Sequence, residues 1–408
     1  MENVAHTLAG LLLAEIVASR RKAPADGGRF ARLAYVVSGV ANNLPDGDQL
    51  YTAVTGGKLG YLLHHRGHTH TLPIAFVLGA LVAWLAVTLS QRRRGPLRTG
   101  DARWLYGLGL AGGAVHITMD AWNVYGVHPF WPLYSGWLYG DAIFIVEPLL
   151  WVIGIPALYF AAEKRWWKIT LGVLFVAMLV LPWLARGFVP LAASTAVALV
   201  AAASVALASR LAPRRRPWLG LCGFVAIALG FLFASHRARE IVTEASARDP
   251  RMRVVDVALS SMPANPFCFS GQLLELREDG MLAYTRLTVA PFASLVSASS
   301  CPTGESASTA PLQKNTKSDS DSLRYRDELE APLEQLRKLA HENCQARAAL
   351  IFMRIPYWVE RENTIVVGDL RFDRSEGLDF ADVEVEREPV SCPRFLPGWT
   401  PPRDELLR

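Results

Sequence analysis

Covalent staples are scarce in this chain: five cysteines in 408 residues, a length that need not rely on disulfides for its stability. No internal repeat is present, which argues against a solenoid or propeller. The first residues lack the basic n-region and small-residue cleavage site of a secretory leader, so residues 4–19 are expected to remain as a helix. Polar groups are nearly absent from residues 189–209 and 219–235, which counts against a transporter with an ion path through those helices. The second half holds no motif that carries chemistry.

Long apolar runs dominate the first half. Residues 72–90, 104–122, 143–162, 169–185, 189–209 and 219–235 lie near the roughly 20 residues a helix needs to cross about 30 Å of hydrocarbon. Two shorter runs precede them, 4–19 and 31–44. With both crossing, there are about eight helices. The formal net charge of +5 then reads as topology rather than nucleic-acid affinity, because much of it falls in loops. One set of loops carries seventeen Lys and Arg, from Arg20, Arg21 and Lys22 to Arg216, and the other carries Lys58, Arg66 and Arg186. The richer side is expected in the cytoplasm.

That assignment puts everything after residue 235 on the non-cytoplasmic side, including Cys268, Cys301, Cys344 and Cys392. Four cysteines there permit two disulfides in any of three connectivities. Residues 251–259, 271–276, 282–289 and 364–372 read as strands, 328–350 as a helix, and 297–322 as a mobile polar loop. The expected fold is a polytopic α-helical membrane domain followed by a small soluble α+β domain, divided as 1–165, 166–235 and 236–408.

The same topology gathers the ionisable residues of the helix ends on one face. His6 begins the first helix, Asp46 and Asp48 follow the second, His65 and His70 precede the third, and His116 and Asp120 end the fourth. Ionisable groups are costly at membrane depth, so their convergence points to a site. His116 and Asp120 are spaced i, i+4 and share a helical face. In Leu44-Pro45-Asp46-Gly47-Asp48, Pro45 ends the apolar run and Gly47 is expected to let the backbone turn. In the run from His64 to His70, Gly67 permits close backbone approach, and Arg66 is a natural phosphate ligand. Mixed His and Asp donors suit zinc or manganese better than calcium. His64 and His68 read as solvated or supporting residues.

At these positions the chain resembles the YdjM family, membrane proteins read as metal-dependent hydrolases from their motifs. The resemblance rests on His6; Leu44, Pro45, Asp46 and Asp48; His65, Arg66, Gly67, Thr69 and His70; His116 and Asp120; and Tyr125, Gly126, Trp131 and Pro132. It covers roughly residues 1–165. His64 stands where the family usually has Gly, Thr71 where it has Ser, and Glu147 where it has Asp, while Asp141 fits an acidic position. What the resemblance implies is hydrolysis of a phospholipid or related membrane phosphoester.

Together these readings set the expectation of a multi-pass protein of a bacterial-type inner membrane. Its divalent metal, zinc or manganese, lies on the non-cytoplasmic face. His6, Asp46, Asp48, His65, His70, His116 and Asp120 are the expected ligands, Asp46, Asp48, Arg66 and Asp120 the catalytic candidates, and a membrane lipid rather than nucleic acid the partner. The alternative is a non-enzymatic membrane or regulatory protein pinned together by its metal.

Overall fold

The computed structural model describes residues 1–21, 27–50, 54–303, 307–389 and 391–408. Lys22, one of the basic residues counted above, lies outside the described residues. Helices form at every expected run: α1 (Asn3–Arg20), α2 (Arg29–Ala41), α4 (Leu72–Arg94), α5 (Asp101–Asp120), α6 (Pro148–Ala161), α7 (Arg165–Leu184), α8 (Leu191–Arg210) and α9 (Arg216–Ser246). A short α3 (Gly57–His64), unforeseen in the sequence, precedes α4.

Among the described residues, four helices are long and apolar enough to cross a membrane, namely α4, α7, α8 and α9 with the turn before it. The expected count of about eight is not confirmed. At 1.5 Å per residue, α2 and α6 cover only about 20 Å, well short of the hydrocarbon. α1 carries His6 and Glu15, and α5 is diluted by glycines, His116 and Asp120.

Helix α4 lies directly against α5 because both present small residues at the contact. A Cβ on Gly79 would stand 2.2 Å from the Gly109 carbonyl oxygen, and one on Gly109 would stand 2.3 Å from that of Gly79. Such small-residue seams let helix backbones approach in a membrane. This one brings the start of α4 level with the end of α5.

Helix α9 does not stop at the expected residue 235. Its 31 residues span about 46 Å, more than a bilayer core, so its last turns stand clear of it. There Ala234, Ala238 and Val242 pack on Val257, Leu259, Phe269 and Leu287 of a five-stranded antiparallel sheet. Its strands are β1 (Met252–Met262), β2 (Asn265–Arg277), β3 (Met281–Val289), β4 (Gln313–Lys314) and β5 (Leu323–Pro332), in the order β1-β2-β3-β5-β4. Side chains alternate between its faces. Ala258, Leu274, Leu282 and Tyr284 therefore meet a second core shared with α10 (Leu333–Glu342), α11 (Cys344–Ala349) and a three-stranded sheet. That sheet is β6 (Pro356–Glu360), β7 (Thr364–Asp369) and β8 (Val383–Glu386), and α12 (Asp404–Leu407) ends the chain.

The expected helix over 328–350 needs correction. Residues up to Pro332 belong to β5, where Leu329 lies opposite Tyr284 of β3, and the helix begins only at Leu333. Pairing with β3 outweighs the helical propensity of the Glu-rich start. The 297–322 segment contains a 3-10 turn at Ala298–Ser300 and the short β4, with 304–306 outside the described residues. Of the three disulfide patterns, the structure has Cys268–Cys301 and Cys344–Cys392, and Cys222 is free.

Candidate metal centre

Three chain segments meet at one end of the α1, α2, α4 and α5 bundle. After α2 the chain enters a 3-10 turn, Leu44–Leu50, that turns Asp46 and Asp48 inward. Gly47 lies inside that turn without a positive φ, and a Cβ there would find its nearest neighbour at 3.9 Å. Glycine is thus not what makes the turn, contrary to expectation. Gly67 is different: a Cβ would come within 2.7 Å of the His64 carbonyl oxygen, the close approach anticipated for it. A second 3-10 turn, His68–His70, then delivers His70 to the start of α4.

Asp46, His70, His116 and Asp120 form a buried group whose facing ligand atoms all lie within 4.8 Å of one another. His70 Nε2 is 3.1 Å from His116 Nε2, 3.1 Å from Asp120 Oδ2 and 3.4 Å from Asp46 Oδ1. His116 Nε2 is 3.4 Å from Asp120 Oδ2 and 3.7 Å from Asp46 Oδ1. A tetrahedral ion with bonds of roughly 2.1 Å has ligand-to-ligand edges of roughly 3.4 Å. These spacings suit such an ion.

The outer nitrogens of both imidazoles point to the same conclusion. His116 Nδ1 donates to the Asn42 carbonyl oxygen at 2.7 Å, and a carbonyl can only accept, so Nε2 of the neutral ring carries its lone pair inward. His70 Nδ1 faces Asp48 Oδ2 at 3.2 Å, which directs its Nε2 inward too. Carboxylate or carbonyl partners on the outer nitrogen are what metal-binding histidines usually have. Asp120 Oδ2 is aimed into the group, between the two inward nitrogens. The donor set fits a metal ion.

Asp48 stands just outside the four. It accepts from His65 Nδ1 (2.9 Å), the Arg66 backbone N–H (2.9 Å) and the Thr69 hydroxyl (2.9 Å). Arg66 is held at φ 58°, an uncommon conformation for a side-chain-bearing residue, and the Asp48 contact secures it. Burial alone would raise the Asp48 carboxyl, but its bonds to His65 and His70 hold it below the usual carboxylate range. The Asp46 carboxyl is likewise lowered, with His70 and His116 overcoming burial. Burial alone would lower His70, yet hydrogen bonds to Asp120, Asp46 and Asp48 raise it to about 10. Without a metal, a proton on His70 balances these carboxylates.

His6 stacks on His116 with ring centroids 3.9 Å apart, and its Nε2 is 3.2 Å from Asp120 Oδ1. Arg66 Nη2 is 3.1 Å from the same oxygen, and its guanidinium lies 4.7 Å from the Tyr125 ring centroid. His65 lies on the far side of Asp48. So the structure groups four of the seven expected ligands and sets His6, Asp48 and His65 around them. Sequence reasoning missed Asn42, which acts through its backbone, and Asn123, whose Oδ1 accepts from Arg66 Nη1 at 3.0 Å. Neither role has a sequence signature.

A family model described as YdjM inner membrane protein matches residues 1–189. The resemblance seen in the motifs is thus borne out. No curated protein and no solved structure matches the chain. The YdjM match covers α1 to α7 and every member of the buried group, and it ends before α8.

Two acids of the matched segment serve the C-terminal domain. Asp141 takes two hydrogen bonds from Arg354, at 2.8 and 2.9 Å, and Glu147 accepts from the Leu149 and Ala264 backbone N–H groups, both at 3.0 Å. Arg371 donates to the Val124 carbonyl at 2.6 Å, just before Tyr125. His64 Nε2 meets the Phe395 carbonyl at 3.0 Å, and His68 lies 4.7 Å from the Trp399 ring, so both hold the C-terminal segment rather than the buried group.

Proposed function

We propose that the YdjM-like half is a metal-dependent hydrolase acting on a phospholipid or another membrane-associated phosphoester. The observation that carries this reading is the convergence of Asp46, His70, His116 and Asp120 beside a single guanidinium, that of Arg66. These four residues would hold a divalent ion, zinc or manganese by their mixed nitrogen and oxygen donors. Such an ion supplies Lewis acidity and, at neutral pH, a nucleophilic water.

The chain's own groups would do the rest. Arg66 orients a phosphate through its guanidinium, whose Nε has no hydrogen-bond partner among the described residues. Asp48 keeps His70 and the Arg66 backbone in place. Asp46, at 9% exposure the most accessible of the four, takes the proton at its carboxylate. His6 supports Asp120 from the opposite side.

A membrane-borne substrate suits the surroundings. The C-terminal domain sets Phe352, Phe372 and Phe380 around Tyr125, and it sets Trp399 against His68 and His128. The turn carrying Asp46 ends instead in Leu50, which is 86% exposed. Apolar surface beside the least buried ligand favours a lipid. The disulfides of the C-terminal domain support an oxidising, non-cytoplasmic compartment for it, and with it for the metal centre at a bacterial-type inner membrane.

The near-complete burial of the group favours a second reading, a closed metal that pins α2, α4 and α5 without catalysis. Elemental analysis of detergent-purified wild type beside Asp46→Ala and His70→Ala decides whether the site is real, with stoichiometric zinc or manganese expected in the wild type alone. Metal-free wild type after reconstitution would overturn both readings. Metal-loaded protein that cleaves no phospholipid and holds no exchangeable water would leave only the second.

A further inference from the structure

Helices α6 and α7 leave an open groove of about 840 Å³ at the end of the bundle remote from the metal centre. Its polar end is built by Tyr159, Arg165 and Lys168, and its apolar length by Gly172, Val173 and Val180 among others. Helix α9 runs into the C-terminal domain, and α7, α8 and α9 are each long enough to cross, so the start of α7, with Arg165 and Lys168, lies at the opposite membrane surface.

Three observations identify an occupant. First, from Ile169 to Val180 the helix rises about 16 Å, matching the roughly 15 Å depth of one leaflet's hydrocarbon. Second, Tyr159 and the 59% exposed Trp166 mark the headgroup level, where aromatic residues gather. Third, Arg165 and Lys168 stand at that level with no carboxylate partner among the described residues. Lys168 Nζ rests 5.8 Å from the Tyr159 ring centroid. The neighbouring Glu163 is outnumbered by Lys164, Arg165 and Lys168. The groove is open at Gly172, where a Cβ would meet nothing closer than Tyr159 at 4.0 Å.

We propose that this groove holds one phospholipid with an anionic headgroup, its phosphate between Arg165 and Lys168 and one acyl chain along Gly172 to Val180. The site is separate from the metal centre and does not depend on the hydrolase reading.

Native mass spectrometry of the detergent-purified full chain tests it, with phosphatidylglycerol and phosphatidylcholine of the same acyl chains as probes. The wild type is expected to retain one phosphatidylglycerol about 30-fold better than phosphatidylcholine, roughly fivefold for each basic residue at a membrane surface. Arg165→Gln with Lys168→Gln should level the two lipids. Gly172→Leu, which leaves the charges untouched, should lower retention of both. Millimolar inorganic phosphate should displace neither, and the metal content of every variant should match the wild type. Equal retention of both lipids by the wild type, an unchanged preference in the charge variant, displacement by phosphate alone, or full retention by Gly172→Leu would overturn the proposal.

Discussion

His70 and His116 face each other with their Nε2 atoms 3.1 Å apart, each ring's outer nitrogen already engaged by Asp48 or by the Asn42 carbonyl. Without a metal the proton on His70 bridges that gap, and a divalent ion held by both nitrogens and the facing carboxylates would take its place. His70→Ala and Asp120→Ala are therefore expected to lose bound metal to near zero while keeping their helical circular dichroism. Retention of stoichiometric metal by either variant would show that the group is not the site.

Asp48 acts on the centre through His70 and Arg66. Asp48→Asn keeps the shape but weakens the charge that orients His70, so metal affinity should fall by about 10- to 100-fold, with full occupancy still reached at high metal concentration. Chelator competition measures this. An unchanged affinity would mean that Asp48 merely packs.

The approach of α4 to α5 sets the distance between His70 and His116. Gly79→Leu forces the backbones apart, because even a Cβ at that position lies 2.2 Å from the Gly109 carbonyl oxygen. Metal binding should be lost although no ligand has changed, and a wild-type metal content in folded Gly79→Leu protein would contradict the geometry.

Arg354 joins the two halves of the chain. It pairs with Asp141, 213 residues earlier, and with Asp256 at 2.7 Å. Arg354→Met leaves two buried carboxylates without that partner and should cost about 3–5 kcal/mol of stability. Burial alone would raise the Asp256 carboxyl, but Arg354, Arg403 and Arg239 hold it well below its ordinary range. A depressed carboxyl stabilises the fold above the unfolded value near 4 and loses that contribution as pH falls further. Thermal unfolding of the wild type should thus weaken below about pH 4, and Arg354→Met should show a shallower acid dependence.

Both disulfides close long loops, of 33 and 48 residues. Cys344–Cys392 also anchors the segment leading to Trp399, which stacks on His128 at 4.1 Å. Removing either bond should cost about 2–4 kcal/mol. Cys344→Ser with Cys392→Ser should in addition expose Trp399, read as a red shift in tryptophan fluorescence that Cys268→Ser with Cys301→Ser does not produce.

The members of the buried group were legible because ionisable residues at the ends of apolar helices are costly and therefore conspicuous. Asp46, His70, His116 and Asp120 each stood out that way before any contact was known. The supporting roles of Asn42 and Asn123 were not, since a backbone carbonyl and a single amide carry no motif. In the second half, a composition rich in branched and aromatic residues revealed β1, β2, β3 and β7. It failed at residues 328–332, where a Glu-rich segment pairs with β3 and the pairing rather than local propensity decides.

By itself the sequence determined where most of the helices of the first half form and which residues converge at one end, because hydrophobic length and the cost of buried charge are local properties. The tertiary structure alone decided which imidazole nitrogens face inward and which cysteines pair. It also made Asp141 and Glu147 anchors for the C-terminal domain. Those outcomes depend on partners far away in the chain, such as Arg354 and Ala264, and no local pattern encodes a pairing across that distance.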